Sequence, residues 1–409
     1  MGKFIDLFAG CGGLSLGLLN AGWKGNFAIE RHADAFSTLK HNLIDSGRFE
    51  YDWPGWLPCE AHDITEFLDN YSSYLTKLRG EIDLIVGGPP CQGFSSAGRR
   101  DPNDPRNTLT EQYLKVVELV QPRFILIENV KGFNAKFDTD SEGEVPYAQK
   151  VMQRLEGLGY RAKSKLVGSA NWGVPQLRPR FIIVAEKRDG DWVKDPFDVL
   201  SDSREDFLKA KKLPVSKPVT AKQALSDLET MGKELIDAVD GGVSGFKQIR
   251  YERPRRLTNY QMLMRQGIVN GTAPNSLRLP RHTEIVTDRF TRILETCRRG
   301  RTLSKDDKEK FGLKKQATTP MASNRPSATI TTLPDDLIHY SEPRILTVRE
   351  NARLQSFPDW FEFQGPYTTG GKLRKSACPR YTQVGNAVPP LLGEALANLV
   401  LVLKEIGLD

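Results

Sequence analysis

Apolar and polar positions follow a regular alternation over the first 187 residues of the chain. Apolar runs as long as buried strands are separated by stretches with helical spacing, such as YLKVVELV (113–120) and AQKVMQRLEGLG (148–159). The candidate strands are FIDLF (4–8), NFAIE (26–30), IDLIV (82–86), FILIEN (124–129) and RFIIVAE (180–186). Strands that alternate with helices predict an α/β fold with a doubly wound, mostly parallel sheet. Such sheets bind ligands beyond the carboxyl ends of their strands.

The pattern changes near Asp189. From there to about Pro343 the hydrophobic periodicity is weak, and helical spacing returns at TVRENARLQSF (347–357) and LGEALANLVLVLKEIG (392–407). A chain of 409 residues is long enough for two domains. We predict a first domain over residues 1–187, a second, smaller domain over 188–365 that includes LTVRENARLQSFP, and a C-terminal segment, 366–409, that returns to the first domain.

Positive charge is concentrated in one part of the chain. Residues 241–326 contain 19 Lys and Arg against 7 Asp and Glu, an excess of +12, whereas the whole chain carries +7 and the remainder therefore −5. A basic segment in an otherwise acidic protein favours a polyanion partner, most simply nucleic acid, over a solvated basic surface. Arginine dominates, as in YERPRRL (251–257) and CRRGRTL (297–303), and arginine suits phosphate and guanine contacts.

Cysteine and histidine positions argue against a disulfide framework and against a metal site. The 5 cysteines are scattered without a CxxC pair, and the 5 histidines do not join them at zinc-ligand spacing. No apolar run has the length needed to span a bilayer, and the first ten residues lack the layout of a signal peptide. We expect a cytoplasmic protein, associated with the nucleoid, with no metal and no membrane contact.

A glycine-rich turn follows the first candidate strand in DLFAGCGGLSLG (6–17). A strand, a glycine turn and a helix form a nucleotide-type binding layout, because glycines let a ligand approach the backbone. Glu30 ends the second strand and could hold two ribose hydroxyls. A strict GxGxxG needs glycine at Ser15, which argues against a nicotinamide-dependent dehydrogenase. Asp63 could accept from an adenine amino group, or it could cap the following helix.

The turn GGPPCQGFS (87–95) holds one thiol, that of Cys91, at the end of a buried strand. Two prolines fix the backbone and two glycines allow a sharp turn, so the thiol would be presented rigidly at the carboxyl edge of the sheet. A fixed thiolate is a useful nucleophile. The alternative is a buried structural cysteine, which is the usual fate of an intracellular cysteine.

Acidic and basic groups follow the neighbouring candidate strands. FILIEN (124–129) places Glu128 at a strand end, where a semi-buried carboxyl can donate a proton. PQLRPRF (175–181) places Arg178 and Arg180 two residues apart at the start of another strand. Alternate strand residues share a face, so we expect both guanidinium groups to point the same way. A thiol, an acid and two arginines at adjacent strand ends predict an active site, although each alone could be an ordinary polar residue.

Six blocks occur in order along the chain, namely DLFAGCGG, GGPPCQGFS, ENV, PQLRPR, LTVRENARLQSFP and YTQVGNAVPP. Together they resemble the blocks of the cytosine-C5 DNA methyltransferases. The resemblance covers roughly residues 3–186 and 325–400 and fails between them, where that family places a variable target-recognition region. It implies the S-adenosylmethionine-dependent methyltransferase fold, with a catalytic and cofactor-binding domain at 1–187 and a target-recognition domain at 188–365.

The resemblance also implies which residues contact S-adenosylmethionine. Eight of them belong to the first strands and their loops: Phe8, Gly10, Gly12, Gly13, Leu14, Glu30, Asp63 and Ile64. Four others would complete the pocket, namely Pro90, Leu109, Asn386 and Ala387. Arg31 would also lie there, where members of the family often have an apolar residue against adenine, so the adenine contact departs from the family pattern.

For catalysis, the resemblance implies that Cys91 is the nucleophile and Glu128 the acid near the base. Arg178 and Arg180 would lie beside the cytosine, with Arg180 contacting its carbonyl oxygen. The reaction would be methyl transfer to C5 of a flipped-out cytosine in a specific short duplex sequence, through a covalent Cys91–C6 intermediate. The enzyme would act as a monomer on double-stranded DNA, and a cognate restriction endonuclease is a candidate partner.

Two alternatives remain beside this interpretation. A tRNA cytosine-5 methyltransferase would share the blocks, but such enzymes tend to have a shorter region between the two halves of the catalytic fold than the roughly 150 residues found here. A catalytically silent DNA-binding relative would keep the fold without the reaction, but the predicted catalytic residues are all in place.

Overall fold

The structure is a computed structural model of the chain, and it describes residues 2–90, 108–134, 145–269, 271–314, 317–368 and 377–406. The chain forms two compact units. Unit 1 comprises Met1–Gly168, Pro179–Arg204 and Leu392–Asp409, and unit 2 comprises Ser169–Arg178 and Glu205–Leu391. These units are defined by packing, whereas the predicted domains 1–187, 188–365 and 366–409 were placed from the hydrophobic pattern and the family resemblance. The predicted boundaries therefore stay predictions.

Unit 1 contains a sheet of six described strands. They are β1 (Lys3–Leu7), β2 (Lys24–Ile29), β3 (Leu84–Gly87), β4 (Phe124–Asn129), β5 (Tyr160–Gly168) and β6 (Pro179–Lys187), in the order β2-β1-β3-β4-β6-β5. The pairs β1–β2, β1–β3 and β3–β4 are parallel, and β6 runs antiparallel to both β4 and β5. The predicted mostly parallel sheet is therefore confirmed.

Helices connect these strands. They are α1 (Gly13–Asn20), α2 (Ala33–Leu39), α3 (Ile64–Leu75), α4 (Thr108–Val120) and α5 (Tyr147–Gly157), with a π-helical turn at Lys40–Ile44 and 3₁₀ turns at Thr76–Leu78 and Lys131–Asn134. Apolar faces of α3, α4 and α5 and one face of the sheet form a continuous core, in which Phe67, Tyr113 and Leu155 are fully buried. This core fixes the positions at which the strands end.

Unit 2 has short elements. Its helices are α7 (Ala221–Leu225), α8 (Asn259–Met264), α9 (Glu284–Thr296), α10 (Lys305–Lys310), α11 (Val348–Leu354) and α12 (Arg380–Asn386), with 3₁₀ turns at Ser169–Trp172 and Pro334–Asp336. Two strand pairs accompany them, β7 (Leu235–Asp237) with β8 (Lys247–Ile249), and β9 (Thr319–Pro320) with β10 (Leu337–Ile338). Two further helices, α6 (Pro196–Ala210) and α13 (Pro390–Ile406), contribute residues to both units.

Buried ion pairs surround helix α11 of unit 2. Thr347 and Glu350 form a capping box at its start, and every residue of the helix is buried. Arg353 is 0% exposed and pairs with Asp227 and Asp359, with nitrogen–oxygen distances of 3.0 and 2.6 Å. Arg344 pairs with Glu350 at 2.7 Å, and its charge lowers the pKa of that buried glutamate to about 2 despite desolvation. The LTVRENARLQSFP block therefore forms a polar core.

The sequence pattern missed strand β5, and the expectation that no apolar stretch is long enough to span a bilayer was not met. In β5 only Tyr160 and Val167 are buried, so this edge strand lacks the apolar run expected of a central strand. Residues 380–406 meet the length and hydropathy criteria for a membrane span, contrary to the sequence expectation. However, 72% of the apolar window is buried inside the structure, as in a core helix of a folded protein.

Candidate active site

The strand order reverses between β1 and β3. The chain passes from β1 to β2 on one side, and β3 pairs with the other side of β1. The last residues of the two strands, Leu7 and Gly87, are partners in the parallel ladder. The segments after them, 8–13 and 88–90, therefore leave the sheet next to each other, where doubly wound sheets bind ligands. A Cβ at position 87 would lie 2.3 Å from the Leu7 carbonyl oxygen, so only glycine allows this approach.

The loop after β1 is held by Glu30. Phe8, Gly10 and Gly12 have φ angles of 61°, 57° and 90°, so the loop uses conformations that ordinary residues rarely adopt. The amide of Gly10 donates to Glu30 Oε2 at 3.0 Å, and the amide of His32 donates to Oε1 at 2.8 Å. A Cβ at Gly10 would meet nothing within 4 Å. The structure thus combines a fixed carboxylate with open space above a glycine turn.

The remaining predicted cofactor residues of unit 1 differ in exposure. Asp63 caps α3, because its Oδ1 accepts from the Thr65 amide at 2.8 Å, and its other carboxylate oxygen accepts no hydrogen bond from the described residues. The capping interpretation is therefore correct, and it leaves one oxygen for a ligand. Ile64 is buried in the hydrophobic core of unit 1. Phe8 and Leu109 are partly exposed and pack against this core. Arg31 is exposed, and its Nε lies 3.4 Å from His32 Nε2.

The Pro-Pro turn is tied to the end of β4. The side chain of Asn129 donates from Nδ2 to the Pro89 carbonyl at 3.1 Å, and its Oδ1 accepts from the Val130 amide at 2.8 Å. Pro90, the next residue, is half-buried. Cys91 lies outside the described residues, so its nucleophilic role stays a prediction. Sequence reasoning assigned no role to Asn129, although its position directly after Glu128 was a signal for one.

Glu128 and Arg180 come together as the sequence predicted. They project from paired antiparallel strands, β4 and β6, in which Glu128 lies opposite Ile182. The Arg180 Nε is 2.5 Å from Glu128 Oε1, and the two residues are 7% and 9% exposed. A Cβ at Gly88 would lie 3.0 Å from Glu128 Oε2, so the glycine leaves room for the carboxylate. The result is a charge-assisted pair beside the Pro-Pro turn.

Arg178 has different partners. Strand β6 begins at Pro179, so Arg178 precedes it, and the expectation that Arg178 and Arg180 share one strand face is wrong. Its guanidinium lies in unit 2 and donates to the carbonyls of Ile330 at 2.8 Å, Gly385 at 2.7 Å and Ala387 at 3.3 Å. Arg178 thus holds the backbone on either side of Asn386. Asn386 itself is exposed, and Ala387 is buried.

The described cysteines are free thiols, buried at Cys11 and Cys378 and half-buried at Cys59 and Cys297. Burial raises the pKa of the Cys59 thiol, which is therefore protonated at neutral pH and a poor nucleophile. Within the described ranges, no three His, Cys, Asp or Glu side chains lie close enough together to hold a metal ion.

A buried carboxyl that the sequence interpretation missed lies behind the glycine loop. Asp6, in β1, is 1% exposed, and its Oδ2 accepts from Ser15 Oγ at 2.6 Å. Burial raises the pKa of Asp6 to about 7, with a smaller contribution from Glu30, while the two hydrogen bonds from Ser15 oppose the shift. Tyr51 and Tyr113 also lie near this carboxyl. Ser15 therefore replaces the third glycine of the dinucleotide signature with a partner for Asp6.

The substitution Asp6→Asn is expected to remove a pH dependence of stability. The folded-state pKa of Asp6, about 7, lies above the unfolded value of about 3.9, so the neutral carboxyl favours the folded state. This contribution to stability is fully present below pH 4 and is lost as the pH rises through 7. Between pH 5.5 and 8.5 the wild type should lose about 2 kcal/mol relative to Asp6→Asn. Urea unfolding at both pH values measures this difference. The exposed Asp45→Asn is the control, and parallel pH profiles for wild type and Asp6→Asn would refute the assignment.

The sheet order, the glycine turn after β1 and the antiparallel β6 define the fold of the S-adenosylmethionine-dependent methyltransferases. The crystal structure described as a DNA modification methyltransferase encoded within an E. coli prophage has this fold. It superposes with a TM-score of 0.66 at 25% identity, covering 99% of this chain and 100% of that chain.

Sequence comparison gives the family. The profile of the C-5 cytosine-specific DNA methylases matches residues 2–401. Type II methyltransferase M.DdeI of Desulfomicrobium norvegicum is 30% identical over 97% of this chain and 88% of its own length. Type II methyltransferase M.AplI of Arthrospira platensis is 32% identical over 98% of this chain and 86% of its own length. The chain belongs to the C-5 cytosine-specific DNA methylase family and is an enzyme.

Proposed function

We propose that this enzyme transfers a methyl group from S-adenosylmethionine to C5 of a cytosine in a short duplex DNA sequence, through a covalent bond between Cys91 and C6. The Glu128–Arg180 pair, with its 2.5 Å contact beside the Pro-Pro turn, is the observation that carries the proposal. N3 and the exocyclic oxygen of cytosine are adjacent hydrogen-bond acceptors. The guanidinium can donate to the oxygen, and the Glu128 carboxylate can donate to N3 once it has taken up a proton.

The residues of unit 1 fit S-adenosylmethionine. Glu30 is fixed by two backbone amides next to the open space at Gly10, which suits a carboxylate that accepts from ribose hydroxyls. The free oxygen of Asp63 can accept from the adenine amino group, and the partly exposed Phe8 and Leu109 offer apolar contact. When bound, the cofactor supplies an electrophilic methyl group on a sulfonium sulfur.

The chain's own groups then act on the base. The Cys91 thiolate adds to C6, and the ring electrons make C5 nucleophilic. Glu128 donates to N3 and Arg180 to the exocyclic oxygen, so the negative charge that develops in the ring is stabilised. C5 would take the methyl group as the sulfonium–methyl bond breaks, which leaves the neutral thioether S-adenosylhomocysteine. A base would then remove the C5 proton, and the C6–sulfur bond would break to release Cys91. Because a stacked, paired base cannot be reached, the cytosine must be flipped out of the duplex.

Double-stranded DNA is the proposed substrate. The +12 excess within 241–326 supplies phosphate contacts, and the long region between the catalytic blocks favours DNA over tRNA. Type II methyltransferases among the relatives support a cognate restriction endonuclease as the partner in the cell. We further propose a monomer on DNA, acting in the cytoplasm at the nucleoid.

The substitution Glu128→Gln tests this assignment. We expect the rate of methyl transfer to duplex DNA to fall roughly 10²- to 10⁴-fold, because glutamine cannot supply a proton at N3. S-adenosylmethionine binding, measured by calorimetry, should be unchanged. The assay is mass spectrometry of nucleosides after incubation with S-adenosylmethionine and either duplex DNA or tRNA. Wild-type 5-methylcytosine in tRNA but not in DNA would overturn the choice of substrate.

The matched control is Glu186→Gln. Glu186 is also a buried glutamate paired with an arginine, at 2.6 Å from Arg161, but it lies opposite Phe124 at the other end of β4. The Glu186→Gln variant should methylate DNA at the wild-type rate per folded molecule, even if its stability is lower. Equal losses of rate in the two variants would mean that Glu128 acts through stability alone, against the proposal.

A further inference from the structure

The loop between β7 and β8, residues 238–246, has an unusual composition for an exposed turn. Gly241, Gly242 and Gly245 all have positive φ angles, of 93°, 65° and 81°. Val239 and Val243 are 80% and 58% exposed, although valine has an apolar side chain that is usually buried. An exposed turn that presents apolar side chains within a basic segment is suited to contact with a partner.

Arg278 lies directly beneath this loop, clamped between two rings. Its guanidinium carbon is 4.1 Å from the centroid of Phe246 and 3.7 Å from that of Tyr367. The residue is only 9% exposed. A Cβ at Gly241 would lie 2.7 Å from the Tyr367 ring and 3.7 Å from Arg278 Nη1, so the glycine lets the loop lie against the stack. With both faces covered, the N–H donors point outward in the plane of the guanidinium.

Further contacts hold the stack in place. The Tyr367 hydroxyl donates to Asp240 Oδ1 at 2.5 Å, and Arg380 Nη1 donates to Asp240 Oδ2 at 2.7 Å. The Arg380 guanidinium also lies 4.5 Å from the Tyr367 ring centroid. The amide of Ser276 donates to the same carboxylate at 3.0 Å. Asp240 thus fixes the ring that covers Arg278, and the arginine is preorganised.

Arg278 differs from the other buried arginines of unit 2 because its donors are unused. Six others that are equally buried donate to carboxylates or carbonyls, namely Arg178, Arg265, Arg344, Arg349, Arg353 and Arg380. Within the part of the chain that the structure describes, no group accepts a hydrogen bond from the Arg278 guanidinium and no carboxylate pairs with it. None of its nitrogen atoms is among the buried atoms without a partner in the described residues, so its donors reach solvent and are available to an external acceptor.

We propose that Arg278 reads a guanine of the target duplex, donating to O6 and N7 while the 238–246 loop lies in the groove. This rests on the proposed function, because it assumes a DNA substrate. A planar guanidinium fits the paired acceptors of guanine and those of a phosphate alike. Guanine is favoured because the neighbouring Val239 and Val243 suit base edges and thymine methyl groups rather than phosphates. Exposed arginines such as Arg256 remain for the phosphates.

The first test replaces each guanine of the target duplex in turn by 7-deazaguanine, with wild-type protein. The target is first defined by methylating a randomised duplex library and sequencing the products. At one guanine, loss of N7 should weaken binding about 5-fold or more. Because this test uses the unaltered protein, a folding defect cannot explain a loss of binding. Uniform tolerance of 7-deazaguanine at every position would overturn the proposal, and a library without methylation would instead refute the proposed function.

The second test is Arg278→Lys, which keeps the charge but loses the planar fork. The variant should relax discrimination at that one position by roughly 5- to 150-fold and should show no further loss with 7-deazaguanine there. The exposed Arg256→Lys is the control and should keep the wild-type preference. A uniform loss of affinity with an unchanged preference would assign Arg278 to a phosphate. A lowered unfolding midpoint with an unchanged preference would assign it to packing, and either result would overturn the proposal.

Discussion

Replacing Cys91 by serine should abolish methyl transfer while leaving cofactor binding intact. A serine hydroxyl is far less nucleophilic than a thiolate, so the addition to C6 that activates C5 would not occur. We expect a fall in rate of roughly 10⁴-fold or more, as for other covalent nucleophiles. The measurement is transfer of labelled methyl from S-adenosylmethionine to duplex DNA, with calorimetry of cofactor binding alongside.

Cys59→Ser provides the control for this substitution. Burial raises the pKa of the half-buried Cys59 thiol, so it has little thiolate at neutral pH, and its loss should leave the rate within about 2-fold of wild type. A Cys91→Ser variant that still methylates DNA at a rate near that of Cys59→Ser would exclude the covalent route. The Glu128–Arg180 pair would then have to act together with a nucleophile other than Cys91.

The substitution Arg353→Met should destabilise unit 2 by about 3–5 kcal/mol, because it leaves the buried Asp227 without its arginine and the buried Asp359 with Arg265 alone, at 3.3 Å. Each of the five N–H donors of Arg353 has an acceptor: Asp227 and Asp359 take four, and the Ala224 carbonyl takes the fifth. Asp227 and Asp359 are 3% and 1% exposed, so water cannot replace the lost partner. The free energy of unfolding in urea, followed by tryptophan fluorescence, measures the effect.

The same substitution at a surface pair is the control. Arg250 also makes a bidentate pair, with Glu234 at 2.6 and 3.1 Å, but the two side chains are 53% and 62% exposed. Arg250→Met should therefore cost far less stability than Arg353→Met, because solvent screens the exposed pair. If both variants lose the same small amount of stability, the buried network around α11 does not stabilise unit 2 in the way we infer.

The strands of unit 1 could be predicted because burial on both faces leaves continuous apolar runs. FILIEN matches β4 at both ends, and the other four predicted strands lie within a few residues of the observed ones. The edge strand β5 was missed because its exposed face carries polar residues. The positions of Glu128 and Arg180 at strand ends predicted that they belong to one site. The sequence could not show that they form an ion pair or that their strands are antiparallel neighbours.

Side chains outside the strands were harder to assign. Arg178 and Arg180 look alike in sequence, but the strand begins between them, and only tertiary contacts show that Arg178 holds the Gly385 and Ala387 carbonyls. Asp6 reads as one polar position in a buried strand, and its raised pKa depends on the packing around it. The stack around Arg278 joins segments far apart in sequence, so no local pattern could predict it.

The most direct test of the proposed function is bisulfite sequencing of genomic DNA from a methylation-free bacterial host that expresses the protein. We predict that cytosines in one short sequence context are protected from conversion and that all others are converted. That result would establish C5 methylation of DNA and identify the target sequence together. Complete conversion of every cytosine, with soluble protein present in the host, would contradict the proposal that this enzyme methylates cytosine in DNA.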